Sequence, residues 1–411
     1  MNDDPIPVLI VDDDPVFALF VRQLVESLGN ELPCAPEWVD TAEKALEEIN
    51  RTPYELVLCD YNLPGVSGLE LLAQIQRIAP DRQPAVIMLT ASGNEAVAVE
   101  AMKRGAKDYL PKQELDLPPL LRALKSALAQ KRLAGQVARF NAQMQADLDM
   151  ARKLQQSLLP DQYPCFPRTA LAGQSALRFE HRFLSTTALA GDFFGVLGLS
   201  DSEAGVFICD VMGHGVRAAL VTAMVRALMD ELAPAVRDPG QFLTEMNRRL
   251  ATILKQTDGL IYATAFYLIA DTVAGELRYA NAGHPRPFHL QRRANVAGPL
   301  PMTQRGGPAL GLFGQSAYTT NRCPLAADDL VLLFTDGLFE VVTADGSEDY
   351  GPERLLAAAR ERMQLPLPTL LDELLADVRK FSGGEEFTDD VCVLGMEAAG
   401  MLTIKNEKFK M

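Results

Sequence analysis

Several side chains able to bind a metal or a phosphoryl group stand at the ends of short apolar segments in the first third of the chain. Asp12 and Asp13 directly follow VLIV, and Asp60 ends ELVLCD. Thr90 ends AVIMLT, and Lys112 follows YLP. Three crowded carboxylates repel one another unless a divalent cation lies among them. With magnesium bound there, the Asp60 carboxylate could attack a phosphoryl group and become an acyl phosphate, while Thr90 and Lys112 contact the remaining phosphoryl oxygens.

A second set of carboxylates is spread over the C-terminal half and also lies next to apolar segments. It comprises Asp192 in AGDFF, Asp210 in CDVMGHG, Asp336 in LLFTDG, and the pair Asp389 and Asp390 in TDDVCVL. An Asp-Gly step after a strand is often a simple turn, so each residue alone indicates little. Together, carboxylates with no paired lysine nearby in sequence suit two octahedral magnesium or manganese ions. Two such ions generate hydroxide from water and hold a phosphoryl group for in-line attack, which requires no protein nucleophile.

Two histidines lie in glycine-containing motifs of the same half. His214 and His284 are candidates for acid catalysis, because imidazole changes its charge near neutral pH. The alternative for each is a loop histidine held by hydrogen bonds. His214 is the better catalytic candidate, since it follows Asp210 closely in sequence.

The first set of residues resembles the receiver domains of two-component response regulators. The matching motifs are VDDD (11–14), LCDYNLPG (58–65), MLTA (88–91) and KDYLPK (107–112). The resemblance covers about 1–130 and implies that a sensor histidine kinase phosphorylates Asp60. It also implies that Thr90 and Tyr109 form the switch pair, which repacks on phosphorylation. Gln113 follows the pocket lysine where the family usually has proline, which puts the local backbone geometry in question.

The second set resembles the PPM-type (type 2C) metal-dependent protein phosphatases, in their SpoIIE-like branch. The matching motifs are MARKLQQSLLP (150–160), DVMGHGVRAALVTAMV (210–225), YANAGHPRP (279–287) and PALGLF (308–313). The resemblance covers about 150–396 and implies hydrolysis of phosphoserine or phosphothreonine on a partner protein. Ala190 stands where glycine is commoner, and Gly195 where an acid is frequent, but neither departure removes a ligand.

The same resemblance implies a set of metal ligands. These are the carboxylates of Asp192, Asp210, Asp336 and Asp389, with the backbone carbonyl of Val211. Asp389 is preferred over Asp390 because the first acid of this pair is the ligand in the family.

The elements that would position the first set alternate between strands and helices. The segments 7–11, 55–60 and 85–91 are nearly continuous apolar runs, as in strands covered on both faces. Amphipathic segments at 15–29 and 42–51 separate them. This alternation predicts an α/β receiver domain over 1–130, with a doubly wound five-stranded parallel sheet. Ligands of such sheets bind at the carboxyl ends of the strands.

A proline-free segment with an apolar seam follows. Apolar residues recur at steps of three or four between Leu133 and Leu158, and strong helix formers dominate 117–159. We expect a long helical linker, assigned to 131–160. It forms either a dimeric coiled coil, which makes the protein a homodimer, or a helix packed on its own domain.

The remaining segments predict an α+β phosphatase domain over 161–397, a β-sandwich flanked by helices. Six strands are expected from FEHRFLS, AGVFICDV, YATAFYLIAD, GELRYANAG, DLVLLFTDG and DVCVLGME. Helices are expected at 216–232 and 239–256, and a loop at 295–315. The tail, 398–411, gives no functional signal.

Composition excludes several classes of function. The 411 residues carry a formal net charge of −15, which argues against nucleic acid as a partner. The six cysteines stand singly, with no CxxC pair, so zinc and redox motifs are not indicated. The N-terminus resembles neither a signal peptide nor a membrane span, so we expect a cytoplasmic protein with no membrane partner.

Two functions fit these observations. The first is a phosphatase controlled by phosphorylation of Asp60, acting on a phosphorylated anti-sigma-factor antagonist in a partner-switching pathway, a substrate implied by the resemblance alone. The second is a non-enzymatic adaptor that binds a sigma factor or its regulator. The intact acids of the second set favour the enzyme.

Overall fold

The computed structural model describes residues 4–29, 31–79, 82–91, 95–255, 260–303, 306–384 and 387–402. The chain divides into two compact units, Met1–Ala146 and Asp147–Met411. Within the described ranges, no helix combines the length and the apolar character needed to cross a membrane.

The first unit contains a parallel sheet, as expected. Its five described strands are β1 (Ile6–Val11), β2 (Cys34–Val39), β3 (Leu56–Asp60), β4 (Ala85–Thr90) and β5 (Asp108–Pro111). They lie in the order β2-β1-β3-β4-β5, with all neighbours parallel. Between them run α1 (Pro15–Ser27), α2 (Ala42–Arg51), α3 (Gly68–Ile75) and α4 (Glu95–Lys103). The predicted doubly wound five-stranded sheet is confirmed.

The sheet is covered on both faces. One apolar cluster joins it to α1 and to the helix that follows β5, and a second joins it to α2 and α3. Every residue of β3 and β4 is buried. Double coverage explains why these strands are continuous apolar runs instead of alternating ones.

A single helix, α5 (Leu117–Gln156), contains 40 residues and crosses the boundary between the two units. Its first turns are buried through Leu120, Leu124 and Leu128 in the core of the first unit. Beyond them the predicted apolar seam is exposed. Leu133 is 63% exposed and Phe140 is 69% exposed. The long helix is confirmed, and it ends three residues earlier than the expected 159.

The second unit contains two antiparallel sheets. One has the order β13 (Asn321–Pro324), β10 (Glu276–Ala282), β9 (Ala263–Asp271), β8 (Glu203–Val211) and β7 (Asp192–Gly198). The other has the order β12 (Val296–Pro299), β11 (Phe288–Gln291), β14 (Asp329–Phe334), β15 (Val391–Ala398) and β6 (Leu177–Leu184).

The two sheets pack face to face and helices cover their outer faces. Phe194 and Ile208 of the first sheet share one core with Leu333 and Leu394 of the second. The outer face of the first sheet packs on α6 (Val216–Leu232) and α7 (Pro239–Leu254). The outer face of the second packs on α8 (Gly351–Arg362) and α9 (Leu367–Ser382). The predicted sandwich flanked by helices is confirmed.

The local expectations for this unit were correct at most positions. All six expected strands and both expected helices are present; α7 ends at Leu254, and residue 256, its expected end, lies outside the described residues. The expected loop at 295–315 is wrong in part, because it contains strand β12. Strands β7, β11 and β13 were not expected. Residues 403–411 of the tail lie outside the described residues.

Candidate functional site

The first unit brings its acidic residues together at the carboxyl ends of the strands. Oxygen atoms of Asp12, Asp13 and Asp60 all lie within 4.8 Å of one another. Lys112 Nζ lies 2.7 Å from Asp12 Oδ2 and 2.8 Å from Asp60 Oδ2. Thr90 is buried at the end of β4. The arrangement places a potential nucleophile, Asp60, beside both an oxygen-rich cation site and a positive side chain.

Burial and charge act against each other in this pocket. Burial raises the pKa of Asp60, while its hydrogen bond and ion pair with Lys112 act to lower it. Burial alone would lower the pKa of Lys112, but its contacts with Asp12 and Asp60 raise the pKa overall. Lys112 also lies over the ring of Phe17, 4.4 Å from its centroid. The lysine is therefore held as a cation that faces two carboxylates.

The sequence departure beside the lysine does not displace it. Lys112 begins a short 3-10 turn, Lys112–Glu114, directly after β5. Gln113 in this turn leaves the lysine within ion-pair distance of Asp60. Tyr109, expected to form the switch pair with Thr90, is 40% exposed.

One residue of this pocket was missed by sequence reasoning. A Cβ atom on Gly68 would lie 2.1 Å from the backbone oxygen of Asp60, so only glycine fits. Gly68 N also donates to Tyr61 O at 2.9 Å. Its position at the start of α3, one residue after the Ser67 cap, gives no sequence signal of a contact with Asp60.

The second unit positions its acids through the two sheets of the sandwich. Asp192 is the first residue of β7. It lies directly across from Asp210, near the end of β8, in the antiparallel register. Asp336 follows β14, and Asp389 lies just before β15, the strand that pairs with β14. Each sheet thus contributes two of the four acids.

The negative charges of these acids repel one another. Burial raises the pKa of Asp210 to about 7, with further increases from Asp336, Asp389, Asp390 and Glu340. Burial also raises the pKa of Asp192 well above its ordinary value, and the charge of Asp210 adds to the effect. Asp336 has its pKa raised by burial and then by Asp389. The acids are close enough to repel, although among the described residues only the first unit's acids form a group with all oxygens within 4.8 Å.

This donor set fits divalent cations. Hydrogen bonds act to lower the pKa values of Asp192 and Asp336, and among the described residues no basic side chain is found to lower the pKa of these two acids or of Asp210. Oxygen donors that lack a positive partner are the ligands that magnesium and manganese prefer. The residues present therefore fit the implied metals.

The carbonyl of Val211 lies against the loop that precedes Asp192. A Cβ atom on Gly191 would lie 2.6 Å from Val211 O and 2.7 Å from Gly213 O. Val211 N in turn donates to Gly191 O at 3.2 Å. The glycine permits the close approach of this carbonyl to Asp192, a requirement that the motif AGDFF alone does not reveal.

Thr335 and Asp390 hold neighbouring groups in place. Thr335 is fully buried, its Oγ1 donates to Asp192 Oδ2 at 2.7 Å, and it accepts from Cys392 N at 2.9 Å. Asp390 accepts from the backbone nitrogens of Gly191 and Thr186, each at 2.9 Å. Asp390 is thus engaged with the loop before Asp192. Sequence reasoning missed Thr335, which precedes Asp336 in the motif.

The two histidines have different surroundings. His284 is buried, with Nδ1 2.9 Å from Thr264 Oγ1, and burial lowers its pKa to about 3. A histidine that stays neutral at physiological pH is a hydrogen-bonding group and not a proton donor. Thr264 lies opposite Asp210 in the sheet register. His214 is exposed in the turn that follows β8.

Two family models match the chain. Residues 8–125 match the response regulator receiver domain, and residues 200–399 match stage II sporulation protein E, SpoIIE. One chain thus contains a segment that matches a receiver domain and a segment that matches SpoIIE. The sheet order of the first unit and the sandwich of the second agree with this assignment.

Curated relatives match either part of the chain. Phosphoserine phosphatase RsbP of Bacillus subtilis is 23% identical over 256 residues, covering 62% of this chain and 58% of RsbP. Phosphoserine phosphatase RsbU of the same organism is 26% identical over 205 residues, covering 50% of this chain and 56% of RsbU. The transcriptional regulatory protein ZraR of Klebsiella oxytoca is 34% identical over 134 residues, covering 33% of this chain and 29% of ZraR. The chain spans little more than half the length of the two phosphatases.

A solved structure shares the fold of the SpoIIE domain. The SiaA-PP2C domain of Pseudomonas aeruginosa has a TM-score of 0.53 and 23% sequence identity, covering 63% of this chain and 99% of that domain. At this identity the likeness shows the fold alone.

The last turns of α5 belong to the SpoIIE unit and contact the loop that leads to Asp192. Gln155 Oε1 accepts from Ala190 N at 3.0 Å, and its Nε2 donates to Ala190 O at 2.7 Å and to Thr222 Oγ1 of α6 at 3.3 Å. Arg152 donates to the carbonyls of Thr187 and Ala188 at 2.9 Å and 3.0 Å. The helix end therefore connects α6 with the loop before Asp192.

Proposed function

We propose that this protein is a response regulator in which phosphorylation of Asp60 by a sensor histidine kinase controls a metal-dependent phosphoserine and phosphothreonine protein phosphatase. The observation that supports the proposal is that Asp192, Asp210 and Asp336 lie close enough for acidic charges to raise their pKa values, with no basic partner among the described residues. Similarity to two phosphoserine phosphatases supports the reaction.

We propose which residues would hold the metals. Asp12, Asp13 and Asp60 would hold magnesium in the receiver domain. In the SpoIIE domain, two magnesium or manganese ions would have these ligands: the carboxylates of Asp192, Asp210, Asp336 and Asp389, and the carbonyl of Val211. Such ions, when bound, supply hydroxide at neutral pH and stabilise charge on the phosphoryl group.

The chain's own residues orient the donors and receive the phosphoryl group. The Asp60 carboxylate attacks the phosphorus of the kinase's phosphohistidine, and the new O–P bond forms as the P–N bond breaks and the kinase histidine leaves. Lys112, already within 2.8 Å of Asp60, offsets the charge of the phosphoryl oxygens. In the SpoIIE domain, Thr335 fixes one oxygen of Asp192 and leaves the other available. Asp390 holds the loop that brings Gly191 against the Val211 carbonyl.

The substrate that we propose is a phosphorylated anti-sigma-factor antagonist in a partner-switching pathway. The support is the resemblance to the SpoIIE-like branch and the similarity to RsbP and RsbU. The alternative function is an adaptor that binds a sigma factor or its regulator without catalysis. An adaptor has no need of neighbouring buried acids that raise the pKa values of Asp192, Asp210 and Asp336, so the site favours the enzyme.

Phosphate release from a phosphoserine form of such an antagonist tests the reaction. We expect release that depends on manganese and is abolished in Asp336→Ala. Asp201→Ala is a matched control, because Asp201 is an exposed acid of the same domain. Release by Asp201→Ala but not by Asp336→Ala supports the enzyme. No release by the wild-type protein with manganese present contradicts it.

For regulation, we propose that phosphorylation of Asp60 changes the packing of α5, and that α6 and α7 then shift Asp210 into metal-binding position. The contacts of Gln155 with Ala190 and Thr222 support this route. Phosphatase rates with and without beryllofluoride, a phosphoryl mimic that binds Asp60, test it. Equal rates contradict the proposed control.

A further inference from the structure

A cleft lies at the amino ends of β3, β4 and β5, the opposite ends of these strands from Asp60, Thr90 and Lys112. Glu55, Pro84 and Lys107, which stand just before the three strands, form one wall. The segment 131–139 of α5 forms the other, and the cleft has a volume of about 320 Å³. All of these residues belong to the first unit.

The cleft is strongly basic. Four cationic side chains line it: Lys107, Lys131, Arg132 and Arg139. Glu55 is the one carboxylate among its described lining residues, and it pairs with Lys131 at 3.0 Å. Within the described part of the chain, no carboxylate lies within ion-pair distance of the other three cations. The chain as a whole carries a net charge of −15, so this local excess of positive charge is unusual for it.

The α5 wall of the cleft includes three small residues. These are Ala134, Gly135 and Ala138, and Pro84 lines the other wall. A Cβ atom on Gly135 would meet nothing within 4 Å, so packing does not require glycine there. Glycine is the least favourable residue for a helix interior apart from proline. Its presence leaves the cleft open beside the cations.

The cleft and the exposed apolar seam occupy different sides of α5. At about 100° per residue, Lys131, Gly135 and Arg139 project roughly opposite to Leu133 and Phe140. A second helix placed along the seam would therefore leave the cleft accessible.

We propose that this cleft binds an oligophosphate, either free or as the phosphate chain of a nucleotide. Guanidinium and ammonium groups are the side chains that bind phosphate oxygens, and three cations with no ion-pair partner among the described residues offset much of the negative charge of a short phosphate chain. A bound chain would connect α5 to the starts of strands whose other ends carry Asp60 and Lys112. The cleft is then a second input to the linker helix, separate from phosphorylation and independent of the phosphatase reaction.

Calorimetric titration of the full-length protein with tripolyphosphate and with ATP tests the proposal. EDTA is present, so that neither ligand is drawn to the two metal sites. We expect saturable binding of one ligand per chain, weakened at least tenfold in Lys107→Gln/Arg139→Gln. Tighter binding of ATP than of tripolyphosphate would identify the ligand of the cleft as a nucleotide. Equal binding of the two would show that the cleft recognises the phosphate chain alone.

Two further variants distinguish binding in the cleft from a general effect of the protein's charge. Lys103→Gln/Lys125→Gln removes the same charge from exposed positions of the same unit outside the cleft, and we expect binding within twofold of wild type. Gly135→Leu fills the cleft without changing charge, and we expect the same loss as for the cleft pair. The absence of saturable binding to wild type, or equal weakening by the cleft and control pairs, overturns the proposal.

Discussion

The charge of Asp210 is linked to folding stability through its raised pKa. Its pKa is raised to about 7, first by burial and then by the surrounding acids Asp336, Asp389, Asp390 and Glu340. In the unfolded chain its pKa returns to the ordinary value near 3.8. Between these values the folded state holds a proton that the unfolded state has released. Folding stability therefore falls as pH rises through this window, and the loss is complete above about pH 7.

We expect the melting temperature of the metal-free protein to fall between about pH 5 and about pH 8 because of this linkage. Asp210→Asn, which has no charge to release, should reduce the slope. Calorimetry in EDTA measures both. Manganese should restore more stability at the higher pH, since metals bind the deprotonated carboxylate. An unchanged slope in Asp210→Asn would show that other groups cause the decline.

Thr335 gives a second expectation at the scale of one residue. Thr335→Val keeps the shape of the side chain but leaves Asp192 and the nitrogen of Cys392 without their partner. Leaving buried polar groups unpaired costs about 1–3 kcal/mol. We expect that loss in chemical denaturation, together with a lower phosphatase rate. Thr335→Ser should retain most of the activity, and the exposed Thr252→Val should match wild type in both measurements.

Sequence motifs identified the acids but not the residues that hold them. Asp60 and its partners stand in short motifs whose spacing is visible along the chain. Thr335 contacts Asp192 across 143 positions, and Gly191 contacts Val211 across two strands. Such pairs exist only once the sheets have set the register, so a single sequence does not reveal them.

At the scale of elements, long apolar segments were predictable and short strands were not. The strands β8 and β9 have nine residues each and the helix α5 has 40, which gives a clear period. The strands β11 and β13 have four residues each, and β13 ends in proline. Four residues show too little alternation to distinguish a strand from a loop, so tertiary pairing decides their structure.

The contact that Gln155 makes at the end of α5 can be tested by substitution, with the neighbouring residue Gln156 as the control. Gln155 makes three hydrogen bonds, two of them to the backbone of Ala190, whereas Gln156 is exposed. We expect Gln155→Ala to lower the phosphatase rate severalfold and to raise the manganese concentration needed for half-maximal activity. The reason is that the loop before Asp192 loses its anchor. Gln156→Ala should behave as wild type, and equal effects of the two variants would contradict a role for this contact.

At the scale of the whole molecule, the exposed seam of α5 points to self-association. Leu133, Val137, Phe140 and Met144 are 63%, 51%, 69% and 53% exposed on one side of one helix. Their spacing of four, three and four is that of the a and d positions of a coiled coil. We therefore propose a homodimer in which two copies of α5 pair along this seam.

Light scattering at micromolar concentration checks the oligomeric state. We expect a dimer for the wild-type protein and a monomer for Val137→Glu/Phe140→Glu, because two charges on each helix would face each other in the seam. Leu171→Glu changes an exposed leucine elsewhere and should remain dimeric. A wild-type monomer would contradict the proposal.

Because α5 is one continuous helix, the number of residues between its exposed seam and Gln155 sets the directions of their side chains around the helix axis. Each residue added to an α-helix turns everything after it by about 100°, and seven residues make nearly two full turns. An insertion of seven residues after Ala146 would keep Arg152 and Gln155 in line with the seam. An insertion of two would turn them to another side. Chimaeras that exchange the receiver domain should therefore be built by counting heptads, because an insertion in a helix changes the direction of the side chains that follow it as well as their distance.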